Sequence, residues 1–302
     1  MFRRCLVPLD GSRLAESVLP AVRRFGFPGD CLVTLLHVVE KGAPASVHGD
    51  VHLQEVRQAQ TYLESVAAKL RADGLKVELH VHEVPQEDVP RGIADHAKEL
   101  DKDLIVLCSH GRGGWRRFVF GSNAERVLAH GTTPVLLIRP NENGVAPPVG
   151  PHRIVILLDH LPETVLALEA GGELAERSGA ELLLLGVVPT VERASGDLSP
   201  TSRLAPRTAR YLRDMEAEDL AERLAGEVEK LTARRVRAGA RVDRGDAAAV
   251  LARTAREIRA DLVVLAVRGL AGLSAFWADA IPRKIAGSYE GALLLLRRVE
   301  AG

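Results

Sequence analysis

The sequence predicts an α/β fold of two tandem doubly wound, mainly parallel five-stranded sheets. Three observations predict it. The chain of 302 residues repeats itself at a nearly constant offset. Within each repeat, short apolar runs alternate with helical patterns. A stretch rich in Pro, Gly and Asn separates the repeats.

The repeat is read from four pairs of strands. Residues 5–10 (CLVPLD) resemble 154–159 (IVILLD), and 33–39 (VTLLHVV) resemble 182–188 (LLLLGVV), both offset by 149. Residues 103–111 (DLIVLCSHG) resemble 261–269 (DLVVLAVRG), and 135–139 (VLLIR) resemble 293–297 (LLLLR), both offset by 158. The difference predicts a nine-residue insertion in the second copy, placed in the Pro/Ser/Arg-rich stretch from Pro189 to Arg210. Asn141 to Pro151 cannot sustain a helix or a central strand, so they read as a linker between domains 1–140 and 152–302.

In the first repeat the strands are expected at 3–9, 32–39, 76–83, 103–108 and 134–139. Between them, Leu14, Val18, Leu19, Val22 and Phe25 fall on one face of a helix. Val56, Leu63, Val66 and Leu70 mark a second helix, Ile93, Ala97 and Leu100 a third, and Ala124, Val127 and Leu128 a fourth. Strands apolar on both faces and separated by helices imply a parallel sheet covered on both sides. Ligands of such sheets sit beyond the carboxyl ends of the strands, where the strand order reverses.

Composition removes whole classes of function. Forty Lys and Arg balance forty Asp and Glu, so no global field favours nucleic acid or an anionic membrane. No apolar run approaches the roughly 18–20 residues that cross a bilayer. The N-terminus runs from Arg3 and Arg4 straight into a strand pattern, with no secretory signal, which predicts a cytoplasmic protein. Cys5, Cys31 and Cys108 are too few and too scattered for a disulfide framework or a four-ligand zinc site.

The stretch that carries chemistry follows the fourth strand: residues 108–114 (CSHGRGG), then 121–125 (GSNAE). A strand end, a glycine-rich loop and a helix start together present free amides and a helix dipole to an anion. Ser122 and Glu125 have capping-box spacing, which sets the helix start at Ser122. Arg112, Arg116 and Arg117 add local positive charge.

This segment resembles the nucleotide-binding motif of the universal stress protein family, Gly-x2-Gly-x9-Gly-Ser/Thr. Here it runs through Cys108, Gly111, Gly121 and Ser122. The opening strand with Pro8, Leu9, Asp10 and Ser12, the second strand through Val38, and the helix from Ala124 to Leu128 resemble the same family. The resemblance covers almost all of residues 1–140 and, more weakly, 151–299. It implies the adenine-nucleotide α-hydrolase-like variant of the fold, and an ATP site with or without magnesium. Asp10 would lie by the adenine and ribose, with Pro8, Leu9 and Ser12 around it, and the backbone near Val38 would meet adenine. Gly111 and Arg112 would line the ribose and phosphate track, and His110, in the same loop, would bond either a phosphate or a backbone carbonyl. Gly121, Ser122 and Asn123 would hold the phosphates. Cys108 stands where the family has its first glycine, and its side chain either crowds the ribose or is accommodated.

In the second copy Ala266 replaces that glycine, and Asp279 with Ala280 replaces Gly-Ser. A carboxylate at the helix start repels phosphate, so nucleotide is expected in the first repeat alone. His37, inside an apolar strand, reads as a core histidine. The histidines at 48, 52, 80, 82, 96 and 130 show no metal-ligand spacing, and His80 with His82 reads as surface. Cys108 reads either as a small strand-end residue or as a low-pKa, redox-sensitive thiol.

These readings converge on an ATP-binding regulatory or stress-response switch with an unidentified protein partner and no catalytic residues. A scaffold of the same fold that binds no nucleotide, and a slow ATP-hydrolysing enzyme, are the alternatives. The aliphatic last strands, 135–139 and 293–297, would be aggregation-prone as bare edges. The resemblance implies that they pair antiparallel in an intramolecular pseudo-dimer, with a homodimer as a further assembly.

Overall fold

The computed structural model describes residues 2–24, 31–40, 46–47, 50–51, 53, 55–84, 89–109, 122–140, 150–158, 164–190, 206–267 and 280–297. The chain divides into two compact units. One is Met1–Gly150 with Val267–Ala278 and Glu290–Gly302; the other is Pro151–Ala266 with Asp279–Tyr289. The expected linker lies almost entirely outside the described residues.

The first unit carries β1 (Arg4–Pro8), α1 (Arg13–Glu16), α2 (Leu19–Arg24), β2 (Leu32–Glu40), β3 (Ser46–Val47), β4 (Asp50–Val51), α3 (Val56–Ala72), β5 (Lys76–Val84), α4 (Val89–Glu99), β6 (Leu104–Cys108), α5 (Ser122–His130) and β7 (Val135–Ile138). Its main strands run β7-β6-β1-β2-β5 and are all parallel. The order reverses between β1 and β6, which have β2 and β7 as their outer neighbours. β3 and β4 form a separate antiparallel hairpin that the apolar pattern did not announce.

The hydrophobic pattern explains the layers. Cys5, Leu6 and Val7 of β1 and Leu104, Ile105 and Val106 of β6 are fully buried, as strands covered on both faces must be. Leu63, Val66 and Leu70 seat α3 against β2 and β5. Ile93 and Ala97 of α4 are buried, and α4 packs on β2 and α5. The single helix expected from Leu14 to Phe25 is two short ones, α1 and α2, broken at Ser17 and Val18. Pro20 lacks the N–H that would return to Glu16, and its fixed φ suits the first turn of a new helix.

The second unit carries β8 (Arg153–Leu158), α6 (Thr164–Ser178), β9 (Glu181–Val188), α7 (Pro206–Ala233), β10 (Arg237–Arg244), α8 (Ala247–Glu257), β11 (Leu262–Val267) and α9 (Ala280–Ser288). Its strands run β10-β9-β8-β11 and are paired in parallel where the registers are described. The last strand, β12 (Ala292–Arg297), belongs to the first unit. There it pairs antiparallel with β7, Leu293 opposite Leu137 and Leu295 opposite Val135. Arg297 of β12 donates to the carbonyls of Leu128, Ala129 and Gly131 at 2.9–3.1 Å, capping the carboxyl end of α5.

Sheet register corrects the expected insertion. Leu36 pairs with His80, and its repeat counterpart Leu185 pairs with Arg241, so the third strands are 161 residues apart rather than 158. Twelve residues therefore enter ahead of β10, and three are removed behind it. The added length is spent largely on helix: α7 has 28 residues where α3 has 17.

Candidate functional site

The reversal of strand order brings the ends of β1 and β6 side by side. β1 closes at Pro8, whose missing N–H ends its own contribution as a donor. The chain is held one residue further, because Leu9 N donates to Leu36 O at 2.8 Å. His37 then fixes the Leu9 carbonyl, to which its Nδ1 donates at 2.6 Å. This is the buried core histidine that the sequence suggested, 1% exposed, and it positions the strand end carrying Asp10. Val38, next along β2, is buried.

Beyond Leu9 the chain turns sharply. Gly11 has φ +88°, a conformation that a side chain would strain. Asp10 is exposed, and its Oδ1 accepts from Ser12 N at 2.9 Å. Ser12 Oγ accepts from Ala15 N at 3.1 Å and so caps α1. The Asp10 carboxylate is thereby held at the carboxyl end of β1.

Cys108 ends β6 on the other side of the reversal point, and Ser109 N donates to Ile138 O at 2.8 Å. Burial, reinforced by the negative charge of Asp10, pushes the Cys108 thiol up to about 12. This overturns the low-pKa alternative: a thiol in this position is protonated at neutral pH and is a poor nucleophile. The Asp10 effect also places the two groups within electrostatic reach of each other.

Tyr62 of α3 belongs to the same place, and sequence reasoning missed it. Its hydroxyl is buried, close to Glu16 and the Gly11 backbone. Burial, with the charges of Glu16 and Asp10, raises its pKa strongly. Only a residue facing the β1 end would feel both carboxylates. In the sequence, Tyr62 is one polar-tipped position on an amphipathic helix, and nothing local marks it.

His110, Gly111, Arg112 and Gly121 lie outside the described residues, as do the side chains of Ser122 and Asn123. α5 opens at Ser122, where the capping-box spacing placed the helix start. In the described structure Pro8, Leu9, Asp10 and Ser12 lie at the end of β1, Val38 on the neighbouring β2 and Cys108 at the end of the neighbouring β6. In the second unit Asp159 and residues 268–279 are outside the described set. Leu158 and the region around Ala266 occupy the matching strand ends.

Fold and strand order define a tandem, doubly wound α/β protein. The chain belongs to the universal stress protein family, whose pattern it matches twice, over residues 1–139 and 151–290. It is 25% identical to a universal stress protein of Mycolicibacterium smegmatis, across 97% of this chain and 96% of that one. Universal stress protein G of Salmonella typhimurium is 30% identical over 149 residues, which is 46% of this chain and 100% of that one. A solved universal stress protein from Archaeoglobus fulgidus shares the fold, with a TM-score of 0.68 and 17% identity over 99% of this chain and 97% of that one. Among the described residues, no helix is long and apolar enough to cross a membrane.

Proposed function

We propose that the first repeat binds ATP, with or without magnesium, and that the chain acts as a nucleotide-dependent regulatory switch. The observation that carries this reading is the junction of β1 and β6. Asp10, on a glycine turn, and Cys108, at the start of the Gly111–Gly121–Ser122 motif, flank the point where doubly wound sheets take ligands. Asp10 would accept from ribose hydroxyls, and the amides opening α5 would meet phosphate oxygens. ATP would order the glycine loop and favour one partner-binding form over another. The side chain of Cys108 supports a second reading, a scaffold of the same fold without nucleotide.

The discriminating experiment is titration calorimetry of the nucleotide-stripped protein with ATP, alongside Gly121→Asp. That substitution copies Asp279 of the second repeat into the first. A carboxylate facing phosphates should weaken binding by about 2 kcal/mol, close to thirtyfold. Equal affinity in parent and variant would place the site elsewhere, and no binding by the parent would favour the scaffold.

A further inference from the structure

Three histidines far apart in sequence meet in the first unit, away from the junction of β1 and β6. His80 and His82 lie on one face of β5, and His96 comes from α4. Their rings are packed together, with centroids 4.4 Å apart for His82 and His96 and 4.8 Å for His80 and His96. One ligand nitrogen from each lies within 4.8 Å of the other two. We propose that His80, His82 and His96 form a binding site for a divalent first-row transition metal of the zinc class.

The donor set fits that chemistry. Three imidazoles suit zinc, copper or nickel and do not suit magnesium or calcium, which take oxygen ligands. A tetrahedral zinc ion with Zn–N of about 2.0–2.1 Å needs nitrogens about 3.4 Å apart. The cluster must therefore contract by roughly 1.4 Å, within the reach of small side-chain rotations.

The tautomers are set for ligation. His96 Nδ1 lies 2.6 Å from the Gly92 carbonyl, which can only accept, so Nδ1 carries the proton and Nε2 keeps its lone pair. This is the outer-shell arrangement that orients metal-binding histidines. His80 Nε2 is buried and has no hydrogen-bond partner, an unmet polar atom that a metal would satisfy. His80 is half-buried, with the rings of His96 and His82 4.8 and 6.3 Å from its own. Of the charged groups felt there, Glu99 favours a cation and Lys102 opposes it. His82 is exposed, so the fourth position opens to solvent and can take water or an anionic ligand.

The test is zinc titration of the chelator-treated full chain, by calorimetry and by competition with a chromogenic indicator. One equivalent should bind tightly in the parent. Losing even an outer-shell partner costs about 10–100-fold, so His82→Ala should weaken this equivalent by at least ~100-fold. His82 is exposed and its replacement should leave the fold intact, which circular dichroism verifies. His96→Gln provides a second variant, and cobalt absorption should report nitrogen ligation in the parent and lose it in both. Stoichiometric zinc retained at parental affinity in His82→Ala and His96→Gln, or no tight equivalent in the parent, would overturn the proposal. ATP titration of the same variants is expected to be unchanged, so this result is independent of the nucleotide reading.

Discussion

The two repeats share a scaffold and differ wherever it presents chemistry. In both, an aspartate before the fourth strand receives the two amides that open the first: Asp103 from Arg3 and Arg4, Asp261 from His152 and Arg153, all at 2.7–3.1 Å. In both, three leucine- and valine-rich strands are buried to within a few per cent. The contrast begins toward the carboxyl ends of the strands. His37, which pins the Leu9 carbonyl, has Gly186 as its counterpart. Space at Gly186 is taken by Leu220 and Leu224 of α7, and an added Cβ would lie 2.6 Å from Leu220 Cδ2. Tyr62 is replaced by Arg223, and Cys108 by Ala266. One repeat has a polar, positioned strand end; the other has filled it with leucine.

The β5–α4 face shows the same divergence. Sheet register puts Arg241 and Asp243 where the first repeat has His80 and His82. There Arg241, Asp243, Arg253 and Glu257 form an ion-pair network with contacts of 2.8–3.5 Å. The same register carries a histidine cluster in one copy and fixed charge pairs in the other. A conserved backbone arrangement therefore does not transmit a site; the side chains at a few registers do.

The comparison can be broken most severely where the copies are most alike. Leu137→Asp with Leu295→Asp places two carboxylates in the buried β7–β12 pairing, at a cost of roughly 5 kcal/mol or more. The variant should lose cooperative unfolding of the first unit in a urea titration; an unchanged transition would mean that this pairing is not needed. Next in size is the exchange of the divergent core position. Gly186→His should destabilise the second unit by about 3 kcal/mol through overpacking against Leu220. His37→Gly should cost about 2–4 kcal/mol in the first, through a cavity and a lost hydrogen bond. Chemical denaturation of both variants checks this, and a neutral Gly186→His would show that α7 can yield.

Cys108 sharpens the difference at the carboxyl ends of the strands. With its thiol raised by burial and by Asp10, Cys108 should be alkylated at pH 8 clearly more slowly than an ordinary exposed thiol. Removing the negative neighbour lowers that pKa, so Asp10→Asn should speed the reaction. Peptide-resolved mass spectrometry across a pH series distinguishes Cys108 from Cys5 and Cys31; free-thiol rates at pH 8 would refute the assignment. The smallest effect belongs to the ion network. Arg241 and Arg253 lower the Asp243 pKa, so its contribution is present above the ordinary carboxylate value of 3.8 and is lost as pH falls through the lower folded value. Asp243→Asn should therefore cost under about 1 kcal/mol at pH 7, less in high salt, and progressively less as pH falls below 3.8. A cost independent of pH would point to packing.

Sequence by itself determined the repeat, the α/β layering, the strand positions and the family motif, because each is written in local apolar period or glycine spacing. The strands at 32–40 and 104–108 fall within one residue of expectation. The start of α5 at Ser122 was equally legible, since cap spacing acts over three or four residues. Tertiary structure alone decided the rest. The 161-residue offset of the third strands appears only in hydrogen-bond register, because the composition of that strand has diverged. Cys5 and Cys31, scattered in sequence, have sulfurs 3.5 Å apart because β1 and β2 are neighbours. His80 and His82 meet His96 only because the chain after β5 brings α4 back against those two side chains, and no spacing along the chain encodes that distance.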